Sequence, residues 1–297
     1  MWLFFALLTP LFFGIVITLD HYCVDDLFDH PWMGVITGSV ASFILIIPVL
    51  FFAPLLDWEN LTLPLIALSL LAGCLIQLSQ FFYFHSLKYS EAGIIAAYWN
   101  MVPAMVPFLS FFLLEEILGL RQYVGIVLLI LASVIFCLID VTLQTRWRAF
   151  FLMGMASLMQ AMMFILQDVV FTEVSYLVGF IFITLGLIFT GLTPLLFHTV
   201  RRTVQKNTKN ILSYVWIFLG IEFINLAALA SSQGAVALGK ASLVAAVEST
   251  MPAYTFVVSS AFFLWKPTLG DLRAHRRLPI KFSIIALMIA GVWITAM

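Results

Sequence analysis

Apolar residues fill this chain in ten long blocks, separated by short polar stretches. They lie near 2–19, 33–53, 62–86, 92–114 and 122–139, then near 149–167, 176–197, 211–231, 241–264 and 282–297. Crossing the hydrocarbon of a bilayer takes about 20 apolar residues in a helix, and each block is close to that length. In lipid such a segment must be helical, because every backbone group needs a partner inside its own segment and an open strand has none. The pattern predicts an all-α membrane protein with ten transmembrane helices. Connections are short, the longest near 198–210 and 266–281, so no extramembrane domain is expected.

Composition agrees with lipid as the solvent. The chain is 63% hydrophobic and 10% charged, against roughly 25% charged in soluble domains. Its formal net charge of −1 gives no electrostatic case for nucleic acid as a partner. Cys23, Cys74 and Cys137 show neither zinc nor disulfide spacing. Residues 1–19 lack a basic n-region and a small-residue cleavage site, so they are expected to be a retained first helix.

Lys and Arg placement gives an orientation. Twelve of the 14 fall in odd-numbered connections, including Lys88, Arg201, Arg202, Lys206, Lys209 and Lys281; Arg121 and Lys240 fall in even-numbered ones. Odd connections should then face the cytoplasm, with both termini outside. The first connection is acidic (Asp20, Asp25, Asp26, Asp29), which carries little weight in this rule.

Shifting the chain by 149 residues lays spans three and four on spans eight and nine without a gap. Ala92, Ala96, Ala97, Pro103 and Ser110 fall on Ala241, Ala245, Ala246, Pro252 and Ser259. Two halves are expected, 1–148 and 149–297. Five spans per half force the second to enter the membrane from the opposite side, the inverted repeat of secondary transporters. The run Ser90-Glu91-Ala92-Gly93, then Pro103, then Leu114-Glu115-Glu116, then Gln122 to Gly125, resembles an EamA-type repeat of the drug/metabolite transporter superfamily. The resemblance covers essentially the whole chain, with a degraded second copy in which Lys266 stands roughly where Glu116 does. It implies ten helices in two inverted halves, transport of small metabolites (often amino acids) and a bacterial inner membrane. Family members commonly keep both termini in the cytoplasm, and here the Lys/Arg count argues the reverse.

Two carboxylates fall near the middle of spans, Glu222 and Glu248. An ionisable group at bilayer depth costs roughly 2.5–3.5 kcal/mol on insertion scales, so it is a functional candidate by default. Glu222 stands nine residues before the expected end of span eight and Glu248 seven after the start of span nine. Both would then lie ~10–14 Å from one membrane face. Two facing carboxylates in a low dielectric cannot comfortably both be charged, which suits a proton carrier or a contact for a cationic substrate. The competing reading is a protonated Glu used as polar glue between helices. Asn225 shares the helical face of Glu222.

Pro103, Pro107 and Pro252 interrupt spans four and nine. Proline frees a carbonyl one turn earlier, tolerated in lipid only beside protein or a wet cavity. Trp99, Asn100, Glu248 and Ser249 would then line such a cavity, with Pro103 and Pro252 as hinges; Pro107 alone reads better as a packed kink. Gln77, Gln80 and Tyr83 follow helical spacing along span three, and Gln160, Gln167 and Asp168 add polar groups to span six. Tyr98 and Trp99 would join the polar stripe of span three as an aromatic and amide wall suited to amines or amino acids. Gly34, Gly38 and Ser42 form a ridge of small residues, suited to packing within the bundle or to a weak homodimer; otherwise a monomer is expected.

No phosphate-cradling glycine loop, metal-ligand cluster or Ser–His pairing occurs in the spans, so no cofactor, metal or enzymatic activity is expected. The sequence reads as a secondary transporter of a small polar metabolite, most plausibly an amino acid or amine, working by alternating access with proton coupling. The alternatives are a non-transporting scaffold or sensor of the same fold, and a nucleotide-sugar or phosphate-ester exchanger. The exchanger is disfavoured because anionic cargo wants Lys or Arg at depth.

Overall fold

The computed structural model describes residues 1–26, 30, 32–86, 89, 98–138, 147–265 and 278–296. Every regular element among them is helical. In chain order these are α1 (Trp2–Asp26), α2 (Trp32–Phe51), α3 (Leu63–Ser86), α4 (Met101–Leu113), α5 (Leu120–Leu138) and α6 (Trp147–Glu173). There follow α7 (Tyr176–Leu192), α8 (His198–Ser213), α9 (Val215–Leu238), α10 (Ala241–Glu248), α11 (Met251–Trp265) and α12 (Leu278–Ala296). Eight stretches are long and apolar enough to cross a membrane, counting α10 and α11 as one, while α4 and α5 supply shorter apolar helices. The protein is a multi-pass membrane protein. Of the expected fourth span, 92–97 and its internal match to the second half lie outside the described residues.

α3 packs on α6 and α7, α1 on α9 and α11, α5 on α12, and α2 on α7 and α9. With no hydrophobic drive between helices in lipid, close approach depends on small residues. A Cβ on Gly73 would stand 1.9 Å from the carbonyl oxygen of Ile183, and one on Gly186 would stand 2.2 Å from that of Leu70. Glycines on both sides therefore let the α3 and α7 backbones touch. The Gly34–Gly38–Ser42 ridge is likewise used inside the bundle: Gly34 meets the Phe84 ring, and Gly38 meets the Glu222 carboxylate. Outward positions are apolar too, as in the exposed α5 stripe Val124, Val127, Leu131 and Ile135.

Four expectations are corrected. The connection at 198–210 is a helix, α8. Its Val200, Val204, Asn207 and Ile211 are half-buried along one side, while Arg201, Arg202, Lys206 and Lys209 are exposed. Such a two-faced helix suits the membrane surface, and single-residue joints to the 3-10 turn Thr193–Leu196 and to α9 hold it there. Span eight runs from Val215 to Leu238, beyond the expected end at 231. The polar run Ser231-Ser232-Gln233-Gly234 read as a boundary, yet all four side-chain positions are buried inside the helix. Lys281, assigned above to a connection, lies within α12 and is 2% exposed, its ammonium 4.9 Å from the centre of the Phe256 ring. Asp20, assigned to the acidic first connection, lies inside α1.

Span nine is split between α10 and α11 at Ser249–Thr250. Pro252 is the second residue of α11, where a missing N–H does no harm. At the break the carbonyls of Ala246 and Val247 accept the backbone N–H of Ser249 at 3.2 Å and of Thr250 at 3.0 Å, and each takes a second donor. The Ser249 hydroxyl donates to Ala246 O at 2.6 Å and the Thr250 hydroxyl to Val247 O at 2.7 Å. Asn100 marks a comparable turn just before α4, with Pro103 in that helix's first turn.

The glycine contact gives a test of the packing. Gly73→Ala places a methyl against backbone, so it should destabilise the bundle by about 1–3 kcal/mol. Gly154→Ala meets nothing within 4 Å and should be neutral or stabilising by up to ~1 kcal/mol. Thermal melting of the two variants in detergent, followed by size exclusion, reads both effects.

Candidate functional site

The expected single carboxylate pair resolves into two separate clusters along α9. Glu222 is 7% exposed. It accepts from the Ser42 hydroxyl of α2 at 2.5 Å and from Nδ2 of Asn225, one turn further along its own helix, at 3.1 Å. An acidic neighbour is Asp20 of α1, on which the Glu222 charge acts unfavourably. Asp20 also acts electrostatically on Tyr83 of α3, whose ring meets Trp99 edge-on at 5.5 Å between centroids. Helices α1, α2, α3 and α9 thus bring Asp20, Ser42, Tyr83, Glu222 and Asn225 together.

Glu248 belongs elsewhere. It is the last residue of α10, at the helix break, and accepts from the Ser232 hydroxyl of α9 at 2.5 Å. Ser232 lies ten residues past Glu222 on the same unbroken helix, a separation of about 15 Å. The expected matched depth is therefore wrong. It followed from ending span eight at 231. Measured from Leu238, Glu222 is sixteen residues in and Glu248 seven from the start of α10, or about 24 Å against about 11 Å.

The remaining candidates divide between structural and open roles. Gln77 donates to Val35 O at 3.1 Å and to the Ser39 hydroxyl at 3.0 Å, clamping α3 to α2. Gln160 accepts from the Ser79 hydroxyl at 3.0 Å. Asn100 accepts from the Ser133 hydroxyl at 2.8 Å, tying the turn before α4 to α5. Tyr98 packs edge-on against Phe150, and its carbonyl accepts from Ser157 at 3.4 Å. Ser249 spends its hydroxyl on the helix break. Gln80 and Trp99 are half-buried.

At the end of α9 nearer Glu248 stands a second polar group that sequence reasoning largely missed. The Ser242 hydroxyl donates to the Glu116 carboxylate at 2.7 Å, and the Lys240 ammonium to Ile117 O at 3.1 Å. Asp168 of α6 has the Ala241 backbone N–H, Lys240 and Glu116 as its electrostatic neighbours. Asp168, Phe171 and Thr172 line a cleft of about 280 Å³ with residues 236–239. The 149-residue shift that found the proline pair places nothing polar of the other half on Gln233, so it gave no signal there. Among the described residues no group of three or more His, Cys, Asp or Glu is arranged to hold a metal ion.

Comparison with known proteins bears on the fold and the family. No curated protein matches the chain. A solved structure, described only as the crystal structure of a protein, is similar over 98% of this chain and 98% of its own, with a TM-score of 0.65 and 14% identity. At that identity the likeness concerns the fold alone. The model of the EamA-like transporter family matches residues 1–138. That segment, just under half of the chain, holds the run from Ser90 to Gly125 on which the resemblance was drawn, and over it the chain is similar to the EamA-like transporter family.

Proposed function

We propose that this protein is a secondary active transporter of a small polar metabolite, an amino acid or related amine, in a bacterial inner membrane. It works by alternating access between two inverted five-span halves, 1–148 and 149–297. Helix pairing supports the halves. α3 packs on α6 as α9 packs on α1, α4 packs on α6 as α11 packs on α1, and α5 packs on α12. These are the pairs that a two-fold exchange of the halves carries into one another, and an odd number of spans per half makes the exchange an inversion. Pro103 and Pro252, each beside a helix turn, are the hinges on which α4 and α11 rock.

The observation that carries the reading is Glu222. It is buried at membrane depth, held by two donors, with Asp20 opposite. Charges that repel in a low dielectric are relieved by a proton or a small cation between them. A group serving only as glue needs no second acid beside it. Glu222 is therefore the proton-coupling residue, with Asp20 as its partner, and Asn225 orients the carboxylate. Glu248, half-buried at the discontinuity of span nine with Ser249, is a substrate contact, near the repeat interface where such sites form. Among the described residues no cationic side chain bonds to Glu222 or Glu248, which fits amine cargo better than phosphate esters.

Reconstitution into liposomes separates these roles. Glu222→Gln should lower proton-gradient-driven accumulation of an amino acid roughly tenfold, a loss of ~1.4 kcal/mol of coupling, and leave equilibrium exchange in place. Glu248→Gln should slow exchange itself. Gradient-driven uptake in Glu222→Gln equal to that of the wild type would sink the coupling role. A third variant, Ser42→Ala, removes one donor from Glu222 and should cost about 1 kcal/mol of stability, the scale of an interhelical hydrogen bond in a membrane. Unfolding in detergent under increasing denaturant measures it.

A further inference from the structure

Gln167 of α6 and Gln233 of α9 are 0% and 1% exposed, and both the Nε2 and the Oε1 of each lack a hydrogen-bond partner. Buried amides are almost always paired, because an unmade bond forfeits the desolvation of the group. Elsewhere this bundle pairs its buried amides with care, as at Gln77, Gln160 and Asn100. Four orphaned atoms on two touching helices therefore call for an explanation of their own.

Their position supplies one. Residues four apart on a helix share a face. Phe171 and Ala237 line the cleft between the ends of α6 and α9. The residues one turn deeper on those same faces are Gln167 and Gln233. Each amide thus starts about 6 Å further in along its helix than the Phe171 and Ala237 that line the cleft, and Asp168, next to Gln167 in the chain, is part of the cleft lining. A cleft of about 280 Å³ is large enough for a small metabolite. Phe171 and Tyr176, 5.8 Å apart between ring centroids, close the side against α7.

We propose that Gln167 and Gln233 form a recognition site for a small amine that carries a carboxamide or similar planar group. The planar group both donates and accepts, so it satisfies an Nε2 and an Oε1 together, and the ammonium pairs with Asp168 in the cleft lining. Neither amide brings charge, and Lys240, the cation beside Asp168, already donates to Ile117 O, so an anion gains little by entering. The proposal rests on the transport reading for its purpose, since it supplies the recognition step that Glu222, some 16 Å away along α9, is not placed to make.

The full-length protein in detergent tests it by thermal melting, with L-glutamine and L-asparagine as probes and L-leucine and L-glutamate as controls. Without probe, Gln167→Leu and Gln233→Leu should melt at or above the wild-type temperature, because each removes an unpaired amide. Gln77→Leu, which breaks two bonds, should melt several degrees lower. With probe, glutamine or asparagine should raise the melting temperature of the wild type and of Glu222→Gln, leucine and glutamate should not, and the shift should vanish in both leucine variants. The proposal is overturned if Gln167→Leu and Gln233→Leu melt as low as Gln77→Leu, if they keep the shift, if leucine matches glutamine, or if no probe shifts the wild type. A shift that behaves as expected without any uptake in liposomes upholds the site and removes the transport reading alone.

Discussion

In a medium without water, every polar atom must find its partner inside the protein, and this one constraint governs most of the molecule. It turns the apolar runs into helices. It also sends hydroxyls back onto their own helices, as with Thr9 onto Phe5 O, Thr18 onto Gly14 O, Ser69 onto Leu65 O and Thr295 onto Gly291 O. At the split of span nine it decides how a helix can be interrupted at depth. Backbone N–H groups of Ser249 and Thr250 reach back to the carbonyls at the break, and their hydroxyls add a second donor to two of these. Pro252 restarts the helix where its missing N–H is harmless. A break so satisfied is stable without water, and it leaves a joint between two rigid segments.

The same constraint separates the two membrane acids. Glu222 has two oriented donors and a carboxylate neighbour, so its surroundings respond to one added positive charge. Glu248 has one hydroxyl donor and sits on the joint itself, so its surroundings change whenever α11 moves against α10. The α3–α7 contact, by contrast, is backbone on backbone at Gly73 and Gly186 and allows little sliding. Stiffness and freedom are thus assigned by side-chain size and hydroxyl placement rather than by loop length.

The membrane class and most span positions were legible because length and apolarity are local properties. What failed to read were features defined by neighbours. Ser231 to Gly234 looks like a helix end on composition, yet these positions are buried against other helices, so α9 runs seven residues further than expected. That error alone produced the false pairing of Glu222 with Glu248. Asp20 sits among the acids of a connection in sequence, and only the packing of α1 on α9 makes it a partner of Glu222. The helix α8 was hidden by its polarity: a helix lying at the interface carries a period of 3.6 with half the apolar content of a span. Gln77 was singled out correctly as a buried amide, but its bonds to α2 make it a clamp. The amide without partners, Gln233, was passed over.

One face of α9 draws the clusters together. Counting 100° per residue, Leu229 and Gln233 lie within about 20° of Glu222, so a single stripe carries a carboxylate at one end and an amide at the other. The stripe is about 16 Å long, roughly half the hydrocarbon thickness. Alternating access requires that a bound molecule and the coupling charge never open to opposite sides at once. Placing them on one rigid helix, at depths that differ by half the membrane, ties both to the same rigid body. Any tilt of α9 that opens the amide end toward one face carries the Glu222 end toward the other side of the bundle. In the proposed transport cycle, the unbroken stretch from Val215 to Leu238, which composition cuts short at Ser231, would make that linkage mechanical.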